Sequence, residues 1–266
     1  MTERRLIAPE SQTEWLYMSD VIYHEAGPET RRLQCVFPYR RVWSADDRYP
    51  LVAFIPGAAW QRQEMYQGLP ALCALARRGY AVASVQVREA ALAPFPAQVE
   101  DVRRALDFLA AHAAEFHLDM ERVVLAGDSS GAHLALMTAL MGPCRAKGVI
   151  DLYGPTDMLL SGGPMTASLL GVSNVAASPE KAAAASCDAY ITSERSIPPM
   201  LIAHGLSDDT VDPEHSLRLH RRLQACGKRS SLYLVEGAGH GGACWWSEPM
   251  LALMDEFMSG LWEEKP

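Results

Sequence analysis

One serine in this sequence lies in a setting that could make its hydroxyl group reactive. Ser129 is the centre of the pentapeptide GDSSG, after the apolar run 123–126 and before the stretch 132–140, whose Ala, Leu and Met residues favour a helix. A strand, a G-x-S-x-G turn and a helix together project the central side chain from the end of the strand. The helix N-terminus can stabilise negative charge at that point. The pattern predicts a nucleophile at Ser129, and an inert turn serine is the alternative.

A nucleophilic serine needs a base that takes its proton, and His240 has the best position for this role. It lies in the glycine-rich segment 236–242 (EGAGHGG), directly after a predicted strand at 231–235. For two other histidines, His133 and His204, we expect packing or hydrogen-bonding roles. The remaining histidines lie in ordinary positions of predicted elements: His24, His112, His117, His215 and His220.

A carboxylate that orients the histidine ring would complete the arrangement. Asp208 is the candidate, in the segment 204–211 (HGLSDDTV) that begins at the end of a predicted strand. Asp209 and Asp212 are the alternatives, and the distance of four residues between His204 and Asp208 favours Asp208. Serine, acid and histidine then follow one another in the chain order that α/β-hydrolases use.

These loops need a scaffold, and apolar runs that alternate with amphipathic stretches predict one. Such an alternation indicates a doubly wound α/β fold, in which a mostly parallel sheet has helices on both faces. Ligands bind beyond the carboxyl ends of the strands in these sheets, where all three candidate loops begin. We predict strands at 21–23, 33–37, 51–55, 81–87, 123–126, 148–153, 200–204 and 231–235, and helices at 70–79, 97–116, 132–140, 213–226 and 248–261.

The length of 266 residues predicts a single domain over 1–266. Residues 1–20 are expected to form an N-terminal arm, with a short helix around 10–18. Residues 155–197 break the alternation of strands and helices, and we interpret them as a small lid-like excursion that covers the active face.

Composition restricts the partners and the environment. The fractions of apolar (49%) and charged (21%) residues are those of a soluble globular protein, and the net charge of −8 argues against nucleic-acid or anionic-membrane partners. The sequence has neither a long apolar run nor a secretory leader, so we expect no membrane partner and a cytoplasmic location. The six cysteines are scattered, which predicts reduced thiols and no metal site. We expect neither a metal nor an organic cofactor.

Four segments in the same order resemble the α/β-hydrolases of the esterase/lipase group, which includes hormone-sensitive-lipase-like and feruloyl- or acetyl-xylan-esterase-like enzymes. The resemblance extends from about residue 21 to the C-terminus. IPGAAW (55–60) is similar to the H-G-G-G-W-type oxyanion loop, and PFPAQVEDVR (94–103) to the F-P-A-x-x-x-D stretch. PPMLIAHGLSD (198–208) and GAGHGG (237–242) resemble the acid and histidine segments.

The resemblance implies a serine carboxylesterase that acts on small-molecule esters, with Ser129, Asp208 and His240 in the roles given above. It also implies an oxyanion hole formed by the backbone N–H groups of Ala58, Ala59 and Ser130, and it leaves open which of the two alanines donates. The oxyanion loop departs from the family pattern, because two alanines stand where glycine is usual and proline replaces histidine. Either this loop avoids left-handed backbone conformations or it bears strain.

Tryptophans beside these loops could line a substrate pocket. Trp60 and Trp245 are candidate substrate-binding residues, and core packing is the alternative for each.

Two other functions stay open at this point. An arylformamidase of the kynurenine-formamidase type shares the fold, the order of the three residues and a related oxyanion loop. A non-catalytic binding protein on a hydrolase scaffold is the alternative from a different class, and the altered oxyanion loop keeps it open.

Overall fold

The computed structural model describes residues 14–26, 29–39, 44 and 47–263. These residues form one eight-stranded sheet in the order β1-β2-β4-β3-β5-β6-β7-β8. The strands are β1 (Glu14–Ala26), β2 (Glu29–Tyr39), β3 (Tyr49–Ile55), β4 (Ala81–Val85), β5 (Leu118–Asp128), β6 (Gly148–Leu152), β7 (Met200–Gly205) and β8 (Ser230–Val235). From β4 to β8 all neighbours are parallel, whereas β2 runs antiparallel to both β1 and β4.

Helices follow the strands of the parallel part of the sheet. They are α1 (Leu69–Arg77), α2 (Ala97–Ala111), α3 (Ser130–Leu140), α4 (Met158–Ser161), α5 (Gly163–Leu170), α6 (Pro179–Ala184), α7 (Glu214–Ala225) and α8 (Glu248–Glu263). The predicted doubly wound, mostly parallel α/β fold is therefore confirmed. Among the helices that the structure describes, none has the length and hydropathy needed to cross a bilayer.

Successive residues of each central strand pack into cores on opposite faces of the sheet. On β3, Leu51, Ala53 and Ile55 belong to the core that contains α2, α3 and α7. Val52 and Phe54 belong to the second core, which contains α1 and α8. Strands buried on both faces have continuous apolar runs, and this explains why the parallel strands could be recognised in the sequence.

The N-terminal region differs from its prediction. Residues 14–20 are part of β1 rather than an arm or a helix, because β1 pairs with β2 from Glu14 to Ala26. Aromatic and β-branched residues suit such pairing. Residues 27–28, between β1 and β2, and the first part of the predicted arm lie outside the described residues. Helix α2 ends at Ala111, before the predicted end at Phe116.

The excursion at 155–197 contains α4, α5, α6 and a 3-10 turn at Cys187–Tyr190. Leu169, Leu170 and Ala182 anchor it in the core on the α2–α3 face of the sheet. Its short helices carry too few periodic residues to be recognised in sequence, and tertiary contacts hold them in place.

Candidate active site

Ser129 stands at the turn between β5 and α3 in a strained backbone conformation, with φ 52° and ψ −127°. The two glycines of the pentapeptide are needed because the backbones approach closely there. A methyl group on Gly127 would lie 2.5 Å from the carbonyl carbon of Gly131, and one on Gly131 would overlap the carbonyl oxygen of Ile55. The turn therefore forms only with glycine at both positions, and it leaves the Ser129 hydroxyl at the carboxyl end of β5.

The structure brings the three candidate side chains into one hydrogen-bonded chain. His240 Nε2 lies 2.8 Å from Ser129 Oγ, and His240 Nδ1 lies 2.8 Å from Asp208 Oδ2. The loops after β5, β7 and β8 supply the three residues. A carboxylate that accepts the Nδ1 proton leaves the Nε2 lone pair free to face the serine hydroxyl. This arrangement suits transfer of the serine proton to His240.

Hydrogen bonds keep Asp208 ionised. Burial raises its pKa, but backbone N–H groups of Val211 and Thr210, each 2.9 Å from Oδ1, and the bond with His240 outweigh that effect. The net result is a pKa below the ordinary value for aspartate. His204 Nε2 also lies 3.4 Å from Asp208 Oδ2, yet burial lowers the pKa of His204 and its Nε2–H donates to the Val211 carbonyl. Of these two histidines, His240 therefore makes the shorter contact with Asp208 Oδ2, a hydrogen bond from Nδ1 over 2.8 Å.

The candidate oxyanion loop, residues 55–60, lies directly against the serine turn. Gly57 N–H donates to Asp128 Oδ1 over 2.8 Å, and Ala58 N–H donates to Ser130 Oγ over 2.9 Å. A methyl group on Gly57 would lie 2.8 Å from Ser129 Cβ, so this position requires glycine. The loop adopts left-handed conformations at Ala59 (φ 50°) and at the following tryptophan, Trp60 (φ 58°).

These contacts distinguish the candidate oxyanion donors. The Ala58 N–H already has an acceptor, the hydroxyl of Ser130. Within the described part of the chain, the N–H groups of Ala59 and Ser130 have no protein acceptor. Ser130 opens α3, where the first N–H groups have no partner within the helix. Ala59 and Ser130 are therefore the two groups that can donate to a bound ligand without breaking an existing hydrogen bond.

Two residues of the site were not predicted from the sequence. Asp128 joins the oxyanion loop to the serine turn, and burial raises the pKa of its carboxyl. Tyr153 donates its hydroxyl to Asp128 Oδ2 over 3.2 Å, and its ring packs edge-on against His240 with 4.9 Å between centroids. Tyr153 directly follows β6, and its position after a strand was the signal that could have identified it.

A cavity of about 540 Å³ opens beside Ser129. The excursion supplies one wall, including Leu160, Met165 and Ser161, so this segment lies over the candidate site. On the opposite side the loop after β7 contributes Asp209 and Asp212. The volume is within the range of small-molecule sites.

The two candidate tryptophans have different surroundings. Trp60 lines the cavity, although only 5% of its surface is exposed. Trp245 is fully buried in the core with α8 and is not among the residues that line the cavity. Its indole N–H donates to the Gly239 carbonyl and its ring packs on Tyr153, so it supports the backbone next to His240 from within the core. The prediction that Trp245 binds substrate is therefore wrong.

His215, which sequence analysis assigned no role, holds the cavity wall. Its Nδ1 accepts the backbone N–H groups of Thr156 (3.1 Å) and Asp157 (3.2 Å), where the excursion begins. Its Nε2 lies 3.3 Å from the hydroxyl of Ser161. Burial lowers the pKa of His215 to about 4, so the ring is neutral at pH 7 and can keep both backbone bonds.

Comparison with known proteins agrees with this architecture. The BD-FAE family model matches residues 42–223. Esterase LipC of Mycobacterium tuberculosis is 27% identical over 214 residues, which are 72% of this chain and 53% of LipC. A probable isoprenylcysteine alpha-carbonyl methylesterase of Oryza sativa is 26% identical over 72% of this chain and 50% of that protein. The chain thus spans about half the length of the curated relatives it matches.

Solved structures show the same fold over nearly the whole chain. A truncated form of a carbohydrate esterase from gut microbiota superimposes with a TM-score of 0.80 at 22% identity, covering 97% of this chain and 99% of that truncated chain. The propionate-bound esterase Est2 of Thermogutta terrifontis gives a TM-score of 0.75 at 25% identity, covering 97% and 98%. With the family match extending over more than half of its length, the chain belongs to the BD-FAE family of the α/β-hydrolase esterase group.

Proposed function

We propose that this protein hydrolyses carboxylic esters of small molecules through a covalent intermediate on Ser129. The observation that carries the proposal is the position of His240, which lies 2.8 Å from both Ser129 Oγ and Asp208 Oδ2. The esterase relatives support the choice of an ester as the bond that is cleaved.

The first half of the reaction forms an acyl-enzyme. Ser129 Oγ attacks the ester carbonyl carbon while its proton moves to His240 Nε2, and Asp208 stabilises the resulting imidazolium. The negative charge on the carbonyl oxygen is stabilised by the N–H groups of Ala59 and Ser130. Loss of one such donor typically costs about 3–4 kcal/mol of transition-state stabilisation. His240 then donates the proton to the departing alcohol.

The second half releases the acid. Water attacks the acyl carbonyl carbon while His240 Nε2 takes a proton from that water. The proton then moves to Ser129 Oγ as the bond between Oγ and the acyl carbon breaks. We propose that the acyl group is short, because the cavity of about 540 Å³ must hold the alcohol part as well. Est2, solved with propionate, supports a small acyl group.

The test compares wild type with Ser129→Ala on p-nitrophenyl esters of increasing acyl length and on N-formylkynurenine. We expect hydrolysis of the short esters by wild type and a loss of at least about a thousandfold in Ser129→Ala. Ser231→Ala, which removes an exposed hydroxyl from β8, is the matched control and should retain wild-type rates.

Three results would contradict the proposal, each in a different way. Preference for the formamide would identify an arylformamidase. Equal hydrolysis by wild type and Ser129→Ala would exclude Ser129 as the nucleophile. A wild-type protein that binds the esters without cleaving them would be a binding protein on this scaffold.

A further inference from the structure

The oxyanion loop contains two consecutive residues other than glycine in left-handed conformations. Ala59 has φ 50° and Trp60 has φ 58°. Each such residue is strained relative to an ordinary backbone conformation, because its Cβ lies too close to the following carbonyl oxygen. Strained conformations persist only where surrounding contacts determine them. The contacts around this pair therefore control where the Ala59 N–H points.

Trp60 is the residue through which the fold holds this pair. Its carbonyl oxygen accepts the backbone N–H of Ala90 over 2.8 Å. Its indole N–H donates to Nδ1 of His133 over 3.1 Å, and the two rings meet edge-on with 5.4 Å between centroids. One bond therefore fixes the backbone of Trp60, and the other fixes its side chain.

His133 is well suited to be a fixed acceptor. It lies in α3, one turn after Ser129, and its side chain is fully buried. Its Nε2 lies 2.8 Å from the carbonyl oxygen of Ala185 in the excursion. Because an indole N–H can only donate and a carbonyl can only accept, the proton is on Nε2 and Nδ1 is free to accept. Burial lowers the pKa of His133 to about 4, which keeps the ring neutral near pH 7.

We propose that His133 is a positioning residue for the oxyanion hole. By accepting the indole N–H it holds Trp60, and therefore Ala59, in the left-handed conformation that aims the Ala59 N–H at the developing oxyanion. His133 acts through Trp60 and does not touch the reacting atoms. The inference rests on the proposed function, since an oxyanion hole has a role only where a nucleophile attacks an acyl carbonyl group.

Two substitutions separate the two hydrogen bonds of His133. The amide of asparagine reaches the position of Nδ1, so His133→Asn keeps an acceptor for Trp60 and loses the donor to Ala185. The amide of glutamine reaches the position of Nε2, so His133→Gln keeps the donor to Ala185 and loses the acceptor for Trp60. Trp60→Phe removes the same bond from the other side and leaves His133 intact.

We expect His133→Gln and Trp60→Phe each to lower kcat for p-nitrophenyl acetate by about 10- to 100-fold, the size expected for a misplaced donor. KM should change little, because the donor binds the transition state more strongly than the substrate. The Ki of a trifluoromethyl ketone, which forms a tetrahedral adduct with serine, should rise in parallel with the loss of kcat. His133→Asn should retain most of the wild-type kcat. When His133→Gln and Trp60→Phe are combined, the two losses of kcat should not multiply, since both substitutions remove the same hydrogen bond.

The same measurements can overturn the inference. An Asn variant that loses as much kcat as the Gln variant, or Gln and Trp60→Phe variants with wild-type kcat and Ki, would show that His133 only packs. If His133→Gln fails to fold, Trp60→Phe alone decides. His112→Gln, which changes a histidine at the end of α2, controls for unspecific effects of the substitution. Absence of hydrolysis by wild type would overturn the proposed function and the inference together. Hydrolysis by wild type, with equal kcat in the Asn and Gln variants of His133, would overturn the inference alone.

Discussion

At the scale of single residues, type and position after a strand were enough to select Ser129, Asp208 and His240. The serine and histidine are 111 residues apart in the chain, and their hydroxyl and ring are hydrogen-bonded in the structure. The supporting residues could not be selected in this way. Asp128 and His133 act on partners 71 and 73 residues away, and neither residue has a local pattern that reveals which segment will lie opposite it.

The assignment of the acid can be tested against its neighbour. Asp208→Asn would present an amide N–H to His240 Nδ1 and favour the tautomer that lacks a lone pair facing Ser129. We expect kcat for p-nitrophenyl acetate to fall by about a thousandfold or more. Asp209→Asn should lose far less kcat, because among the described hydrogen bonds the Asp209 carboxylate accepts from the Thr210 hydroxyl, whereas Asp208 is the partner of His240 Nδ1. A larger loss in Asp209→Asn than in Asp208→Asn would contradict the assignment, and thermal unfolding of both variants checks that they are folded.

At the scale of elements, burial decided which predictions were accurate. The central parallel strands have continuous apolar runs, and their predicted positions lie within or close to the strands observed. Residues 14–20 of β1 were predicted as an arm because their pairing with β2, not their own periodicity, makes them part of a strand, whereas the predicted strand at 21–23 lies within β1. Helix α2 was predicted too long because Phe116 continues the apolar spacing, although it packs on Phe37 from a turn beyond the helix.

The junction between β5 and α3 leads to a prediction about glycine. In Gly131→Ala the new methyl group would overlap the Ile55 carbonyl oxygen, so we expect a loss of about 1–3 kcal/mol or more in unfolding free energy. Gly260→Ala, in α8, is the matched control, since nothing lies within 4 Å of its added methyl group. Gly260→Ala should gain about 0.5–1 kcal/mol in unfolding free energy, because alanine favours a helix over glycine. Urea unfolding of both variants measures the difference in unfolding free energy, and equal stability of the two would contradict the close approach of Gly131 to the Ile55 carbonyl oxygen.

At the scale of the whole molecule, one buried acid links stability to pH. Asp151 at the end of β6 is fully buried, and its Oδ1 accepts the Gly154 N–H over 2.9 Å. Its Oδ2 has no partner in the described structure. Burial raises its pKa to about 7, above the value near 4 of an unfolded chain. The folded protein therefore binds this proton more tightly than the unfolded chain does.

Asp151 should make the protein less stable as the pH rises. Its contribution to stability is complete below about pH 4, falls by up to about 1.4 kcal/mol per pH unit, and is lost above about pH 7. Asp151→Asn removes the ionisable group, so the unfolding free energy of the variant minus that of wild type should be larger at pH 8 than at pH 5. Urea unfolding at both pH values tests this, with Asp107→Asn on the exposed side of α2 as the control. The same difference in unfolding free energy between Asp151→Asn and wild type at pH 5 and at pH 8 would contradict the expectation.

The way the cavity is assembled separates the reaction from the choice of substrate. The side chains that we propose to react come from loops after strands of the sheet, whereas one wall of the cavity comes from residues 160–166 of the excursion. His215 and His133 fasten the excursion by bonds to backbone groups, which do not depend on the side chains of the segment. The wall residues other than Ser161, which contacts His215, can therefore vary in sequence while the apolar residues that anchor the excursion in the core stay unchanged. Selectivity in this scaffold can then evolve, or be engineered, independently of the chemistry.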